Sequence, residues 1–237
     1  VRTQGISEVW SRVTGIQAAP PTWLVVLTGV VALAAVLPYG LWRYTRNVVT
    51  IAHEGGHALV AVLMRRRLHG IRLHSDTSGL TVSSGKPYGP GMVFTAAAGY
   101  VAPSLLGLGG AWLLTSGHIT ALLWAVIALL LAVLVMTRNA YGALTVVLTA
   151  GVCLAVSWFG SSQVQAGFAY LAMWFLLVAG VRPVVELQRK RRRGGAPDSD
   201  ADQLGRLTGV PGVLWVVLFL VVAVACLLTG GEWLLHR

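Results

Sequence analysis

Long apolar runs constrain this chain more than any motif in it. A helix that crosses a bilayer needs roughly 20 mostly apolar residues. Runs of that kind recur at 23–42, 47–64, 92–114, 118–136, 140–159, 166–185 and 211–229. The expected fold is an all-α polytopic membrane protein with about seven transmembrane helices. Composition agrees, with 56% hydrophobic and only 11% charged residues, against about 25% charged in soluble domains.

Two polar stretches interrupt the runs. In 65–90, Ile71, Leu73, Leu80 and Val82 alternate with polar neighbours on either side of a turn at 76–79. That pattern predicts a short β-hairpin. The second stretch, 188–209, joins the basic run 189–193 to Asp198, Asp200 and Asp202, and reads as a cytoplasmic or re-entrant loop. Residues 1–21 are polar and read as a cytoplasmic N-terminal segment rather than a signal peptide. One integral membrane domain over 1–237 accounts for the whole sequence.

Charge sets an orientation. With the N-terminus in the cytoplasm and seven spans threaded in turn, every Lys and Arg except Arg43, Arg46 and Arg237 falls on the cytoplasmic side. Cytoplasmic loops carry such an excess, so the net charge of +10 needs no nucleic-acid partner. The basic residues flank apolar runs and are not interleaved with aromatics. The run 189–193 serves this topology first and anionic lipid second. Cys153 and Cys226 sit in apolar runs without a CxxC partner, as buried small side chains and not as a disulfide or metal site.

One of the runs carries the chemistry. His53-Glu54-Gly55-Gly56-His57 is an HExxH, whose histidines at i and i+4 stack on one helix face and can reach one metal. Glu54 is rotated about 100° from His53, so it stands beside the metal rather than on it, placed to take a proton from zinc-activated water. The pattern arises by chance in on the order of one chain in a hundred of this length. An ionisable residue near the bilayer centre costs at least ~2.5 kcal/mol on insertion scales. A carboxylate and two imidazoles within five residues of an apolar run therefore point to function. Gly55 and Gly56 each weaken a helix by about 1 kcal/mol; close approach of a substrate strand and plain helix packing explain them equally.

Catalytic zinc takes three protein ligands and a water, so a third ligand lies elsewhere. Glu8 is near the terminus, Glu232 is on the far side, and Asp76 suits a hairpin turn. Glu186 and the Asp198–Asp200–Asp202 cluster remain, although that cluster also suits a solvated stretch or a helix N-cap. His69, His74 and His118 are rivals better read as interfacial residues, and His236 is terminal.

These residues together resemble the site-2 protease family of intramembrane zinc metalloproteases, in its compact bacterial branch. The resemblance rests on the HExxH with Ala58 and Gly70, on Gly79-Leu80-Thr81-Val82 followed by Ala98-Gly99-Tyr100-Val101-Ala102-Pro103, and on Ser199-Asp200-Ala201 with Leu204, Thr208, Pro211 and Trp215. It covers about 48–216. It implies one zinc per chain held by His53, His57 and Asp200, with Glu54 catalytic. It also implies a strand after the HExxH helix that pairs with an unwound substrate helix. The family aspartate usually sits in an LDG-type motif in an apolar helix; here Asp200 lies in a polar segment that must re-enter the membrane or fold against the core. No PDZ or CBS-like insertion filters substrates.

The leading expectation is a multi-pass cell-membrane zinc endopeptidase that cleaves a transmembrane substrate, with the lipid bilayer and a regulatory membrane protein as further partners. One alternative keeps the protease, takes Glu186 as third ligand, and acts on cytoplasmic or prenylated peptides. Another is a non-enzymatic metal-binding scaffold or transporter. A transporter requires paired polar residues along several spans, which this sequence lacks. Asn139, at the start of a span, suits an N-cap or interface role more than a substrate contact.

Overall fold

The computed structural model describes residues 11 and 13–236. From residue 22 on, eight helices and one hairpin follow in the order α1 Thr22–Val36, α2 Tyr39–Leu63, β1 Arg67–Leu73, β2 Gly79–Ser84, α3 Pro90–Thr115, α4 Ile119–Met136, α5 Ala140–Phe159, α6 Ser162–Arg192, α7 Asp200–Thr208 and α8 Gly212–Leu235. The fold is all-α apart from the hairpin, as the apolar runs and the alternation in 65–90 require.

Helices α3, α4, α5, α6 and α8 are each long and apolar enough to cross a membrane. The first two runs differ from expectation. They form α1 and α2, bent by 103° at a short break, and α1 with its 15 residues reaches only about 22 Å. Pro38 causes the break, because it lacks an amide hydrogen and cannot continue the helix; it becomes the N-cap of α2. The carbonyls left open at the end of α1 are satisfied from α6. Arg182 donates to the oxygens of Val36 and Leu37, while its guanidinium lies over the Trp42 ring. A cation at a helix C-terminus is also favoured by the helix dipole.

The bent pair crosses the bundle once. Gln17 donates its amide to the carbonyl of Gly117 and accepts from the amide of Ile119, so the chain enters at the α3–α4 turn. Met64, just past α2, lies against Gly91 at the start of α3, beside the hairpin. Among the described residues the structure thus holds five helices able to cross a membrane, and six passages if the bent pair counts as one span. Residue 17 and the hairpin stand at opposite ends of the bundle. Arg2 and Arg12, which entered the expected orientation, lie outside the described residues.

The hairpin is antiparallel, with Ile71 opposite Thr81 and Leu73 opposite Gly79. Its tip is tied by Asp76, which accepts from the amide and hydroxyl of Ser78; these bonds hold the Asp76 carboxyl below the usual range. The outer edge of β1 is covered. Arg138 donates its amide to Ile71, and the Asn139 side chain both accepts from and donates to the Leu73 backbone. Asn139 therefore holds the hairpin, and it makes no side-chain cap bond to α5.

The loop expected at 188–209 is largely helical. α6 runs on to Arg192, and α7 begins at Asp200. Ala201 and Leu204 of α7 are fully buried in a cluster with Ala96, Val184, Leu187, Val216 and Phe219. The polar segment folds against the core of the bundle.

Candidate metal centre

α2 carries His53, Glu54 and His57 on its inner side, with Glu54 and His57 buried. α3 runs alongside. The imidazole of His57 donates from Nδ1 to the carbonyl of Thr95 at 2.7 Å. That bond fixes the tautomer and leaves Nε2 with its lone pair free, as in metal-bound histidines generally. His53 is set by ring packing: its edge meets Tyr100 at 4.8 Å between centroids, and Tyr100 stacks on Phe219 at 5.2 Å.

The two Nε2 atoms lie 3.1 Å apart. Asp200 Oδ2 lies 3.3 Å from each of them. A tetrahedral ion with bonds of about 2.0–2.1 Å separates its ligand atoms by about 3.3 Å. The triangle therefore has the size of one face of a zinc coordination shell. Gly99 faces the same spot; a Cβ there would come within 2.3 Å of His57 Nε2 and 2.6 Å of His53 Nε2. The side chains of His53, His57 and Asp200 are 21%, 11% and 19% exposed, so none of the three is sealed off completely; a catalytic zinc needs a free fourth position. On these observations the donor set fits a zinc ion.

Asp200 is delivered by local structure. Ser199 caps α7, accepting from the amide of Asp202 while its hydroxyl donates to the Asp202 carboxylate at 2.6 Å. Arg191 at the end of α6 donates to both oxygens of Asp202. This bonding holds the Asp202 carboxyl below its usual range. Asp202 is thus a brace, and Asp200 on the first turn projects to the histidines.

The other acidic residues stand elsewhere. Glu186 pairs with Arg182 at 2.9 Å and Arg46 at 3.4 Å. Asp198 faces Arg206 at 3.6 Å on the surface. Glu232 lines the opposite end with Trp112 and Trp233. Glu8 lies outside the described residues. Of the rival histidines, His69 bonds Ser84, His74 bonds Ser78, and His118 stands at the start of α4. Among the described residues, His53, His57 and Asp200 form a group whose ligand atoms all lie within 4.8 Å.

Sequence reasoning assigned no role to Thr95 or Thr81. Thr95 offers only a backbone carbonyl, which any residue supplies. Thr81 contacts Glu54 through tertiary packing of the hairpin on α2.

No curated protein and no solved structure matches this chain. The family model described as Peptidase M50B-like matches residues 26–230. With a multi-pass bundle around an HExxH helix already evident, that match over most of its length means that the chain belongs to the site-2 protease family of intramembrane metalloproteases.

Proposed function

We propose that this protein is a zinc endopeptidase that cleaves transmembrane substrates, with His53, His57 and Asp200 as the metal ligands and Glu54 as general base and acid. The 3.1 and 3.3 Å ligand triangle beside a buried carboxylate carries the reading. Zinc at such a site lowers the pKa of a bound water to near 7 and polarises a carbonyl. Thr95 holds His57 in the tautomer that keeps Nε2 available. Tyr100 holds the His53 ring. Glu54 takes a proton and returns it to the leaving amine.

The hairpin supports a substrate that must be extended before cleavage. A helical peptide bond is enclosed by its own hydrogen bonds, and an open sheet edge offers replacements. β1 is covered on its outer side, whereas β2 pairs only with β1 among the described residues. Leu80 and Val82 of β2 are exposed, 51% and 43%, and offer an apolar face to a partner strand. The family match over residues 26–230 supports one metalloprotease domain in the cell membrane, whose partners would be a membrane-protein or peptide substrate and the lipid bilayer.

The test is zinc content and cleavage of a panel of single-span membrane proteins by protein purified in detergent. Wild type is expected to hold about one zinc per chain. His53→Ala and Asp200→Ala lose it, and Glu186→Ala keeps it. Glu54→Gln keeps zinc and loses ~10²–10⁴-fold in rate. Chelation abolishes cleavage and zinc restores it. Absence of zinc from reconstituted wild type overturns the reading. Zinc retained in Asp200→Ala and lost in Glu186→Ala moves the third ligand to Glu186.

A further inference from the structure

The hairpin grips the carboxylate of Glu54. Thr81 donates its hydroxyl to Oε2 at 2.6 Å, and the same hydroxyl lies 3.1 Å from the Glu54 carbonyl oxygen. The shorter distance is that of a charge-assisted O–H···O⁻ bond. Two residues earlier on the same face of β2, Gly79 stands over Glu54 without a side chain. A Cβ there would come within 2.5 Å of Oε1 and Cγ. A second tie fastens the hairpin to α2, where the Thr50 hydroxyl donates to the carbonyl of Thr77 at 2.9 Å.

The two carboxylate oxygens are therefore unequal. Oε2 is committed to Thr81. Oε1 lies under the bare backbone of Gly79 and has no hydrogen-bond partner among the described residues. The terminal torsion of a glutamate is broad and roughly two-fold, so nothing intrinsic to the side chain selects one orientation. The hydroxyl selects it from outside, and it does so from the strand with the open edge. A peptide added to that edge would lie about 4.8 Å away, on the strand that orients the base.

We propose that Thr81 is a positioning residue for Glu54, holding Oε2 so that Oε1 is the oxygen that takes the proton, and thereby links strand docking to base alignment. The inference rests on the reading of Glu54 as general base. Loss of the hydroxyl releases the carboxylate without removing a metal ligand or the strand. Gly79 serves the same end by leaving Oε1 uncovered.

The experiment compares Thr81→Val, Thr81→Ala, Thr81→Ser and Gly79→Ala with wild type and Glu54→Gln, in detergent. The probe is fluorescently labelled casein, an unfolded chain with no helix to unwind. In Thr81→Val, kcat is expected to fall about 10–100-fold, with KM and zinc content unchanged. Thr81→Ser restores kcat, and Gly79→Ala loses kcat while keeping zinc. If Thr81→Val does not fold, Thr81→Ala against Thr81→Ser gives the same comparison. Wild-type kcat in the hydroxyl-free variants, a loss carried by KM, or a Thr81→Ser as impaired as Thr81→Val overturns the inference. An active Glu54→Gln overturns the general-base reading and this inference with it. An inactive Glu54→Gln beside a fully active Thr81→Val overturns the role of Thr81 alone.

Discussion

Gly99 decides how closely α3 can approach the two histidines. The added carbon of Gly99→Ala would fall 2.3 Å from His57 Nε2 and 2.6 Å from His53 Nε2. Those are the lone-pair positions that a metal must share. Overpacking elsewhere in a bundle costs about 1–3 kcal/mol and is met by small shifts. Here a shift of α3 also moves the Thr95 carbonyl away from His57 Nδ1. Gly99→Ala is expected to fold, to lose its zinc by elemental analysis, and to fall on the order of 100-fold or more in cleavage rate. Retention of a full zinc complement would show that the metal sits elsewhere. The HExxH was legible in the sequence because its geometry is local: four residues along one helix bring both rings to one face. Glu54 followed from the same turn. The contacts of Thr95 and Thr81 were not legible, because they arise where α3 and the hairpin meet α2, and neither residue type announces such a contact.

Among the elements, α7 shows how a polar segment can contribute to the candidate metal centre. Its nine residues are too few for a stable isolated helix, so tertiary contacts must hold it. Ala201 and Leu204 anchor one face. Ser199, Asp202 and Arg191 fix the first turn, where Asp200 stands. Asp202→Ala removes the carboxylate that both Ser199 and Arg191 hold. Loss of a cap alone costs about 1 kcal/mol. Asp202→Ala is expected to weaken zinc binding about 10–100-fold in competition with a chelator, with all three ligands still present. An unchanged affinity would mean that packing of Ala201 and Leu204 suffices to aim Asp200. The N-cap of α7 and the helical spacing of Ala201, Leu204 and Leu207 are present in the sequence, but so short a polar segment between two apolar runs also reads as a loop. The β-hairpin was legible, since alternation over two short strands survives on any half-buried sheet. The α1–α2 break was missed for a further reason. Pro38 lies inside a continuous apolar run, and hydropathy alone does not register the lost hydrogen bond.

For the whole molecule, counting the bent pair as one span gives six passages, an arrangement that would put the described ends of the chain on one side and the hairpin on the other. The turns at 116–118 and 160–161, with residues 16–21, contain no Lys or Arg. Arg65, Arg66, Arg67, Arg72, Lys86 and Arg138 gather at the hairpin end with the basic end of α6 and Arg206 of α7. With so many basic residues gathered at one end, the positive-inside bias predicts that the hairpin end faces the cytoplasm. The candidate metal centre lies nearer the hairpin end of the bundle, and the segment entering α1 lies at the other end. Single cysteines test the arrangement, with little background because Cys153 and Cys226 are buried. Lys86→Cys beyond the hairpin and Ser162→Cys at the α5–α6 turn both stand at exposed positions. In intact cells a membrane-impermeant maleimide is expected to label Ser162→Cys and not Lys86→Cys; in inverted vesicles the pattern reverses. Labelling of both from one side would refute six passages, because the α4 end beside the hairpin and the start of α6 are separated by the whole of α5. Labelling reversed between cells and vesicles would keep the fold, put the metal centre near the outer face, and show that something other than basic residues orients this chain.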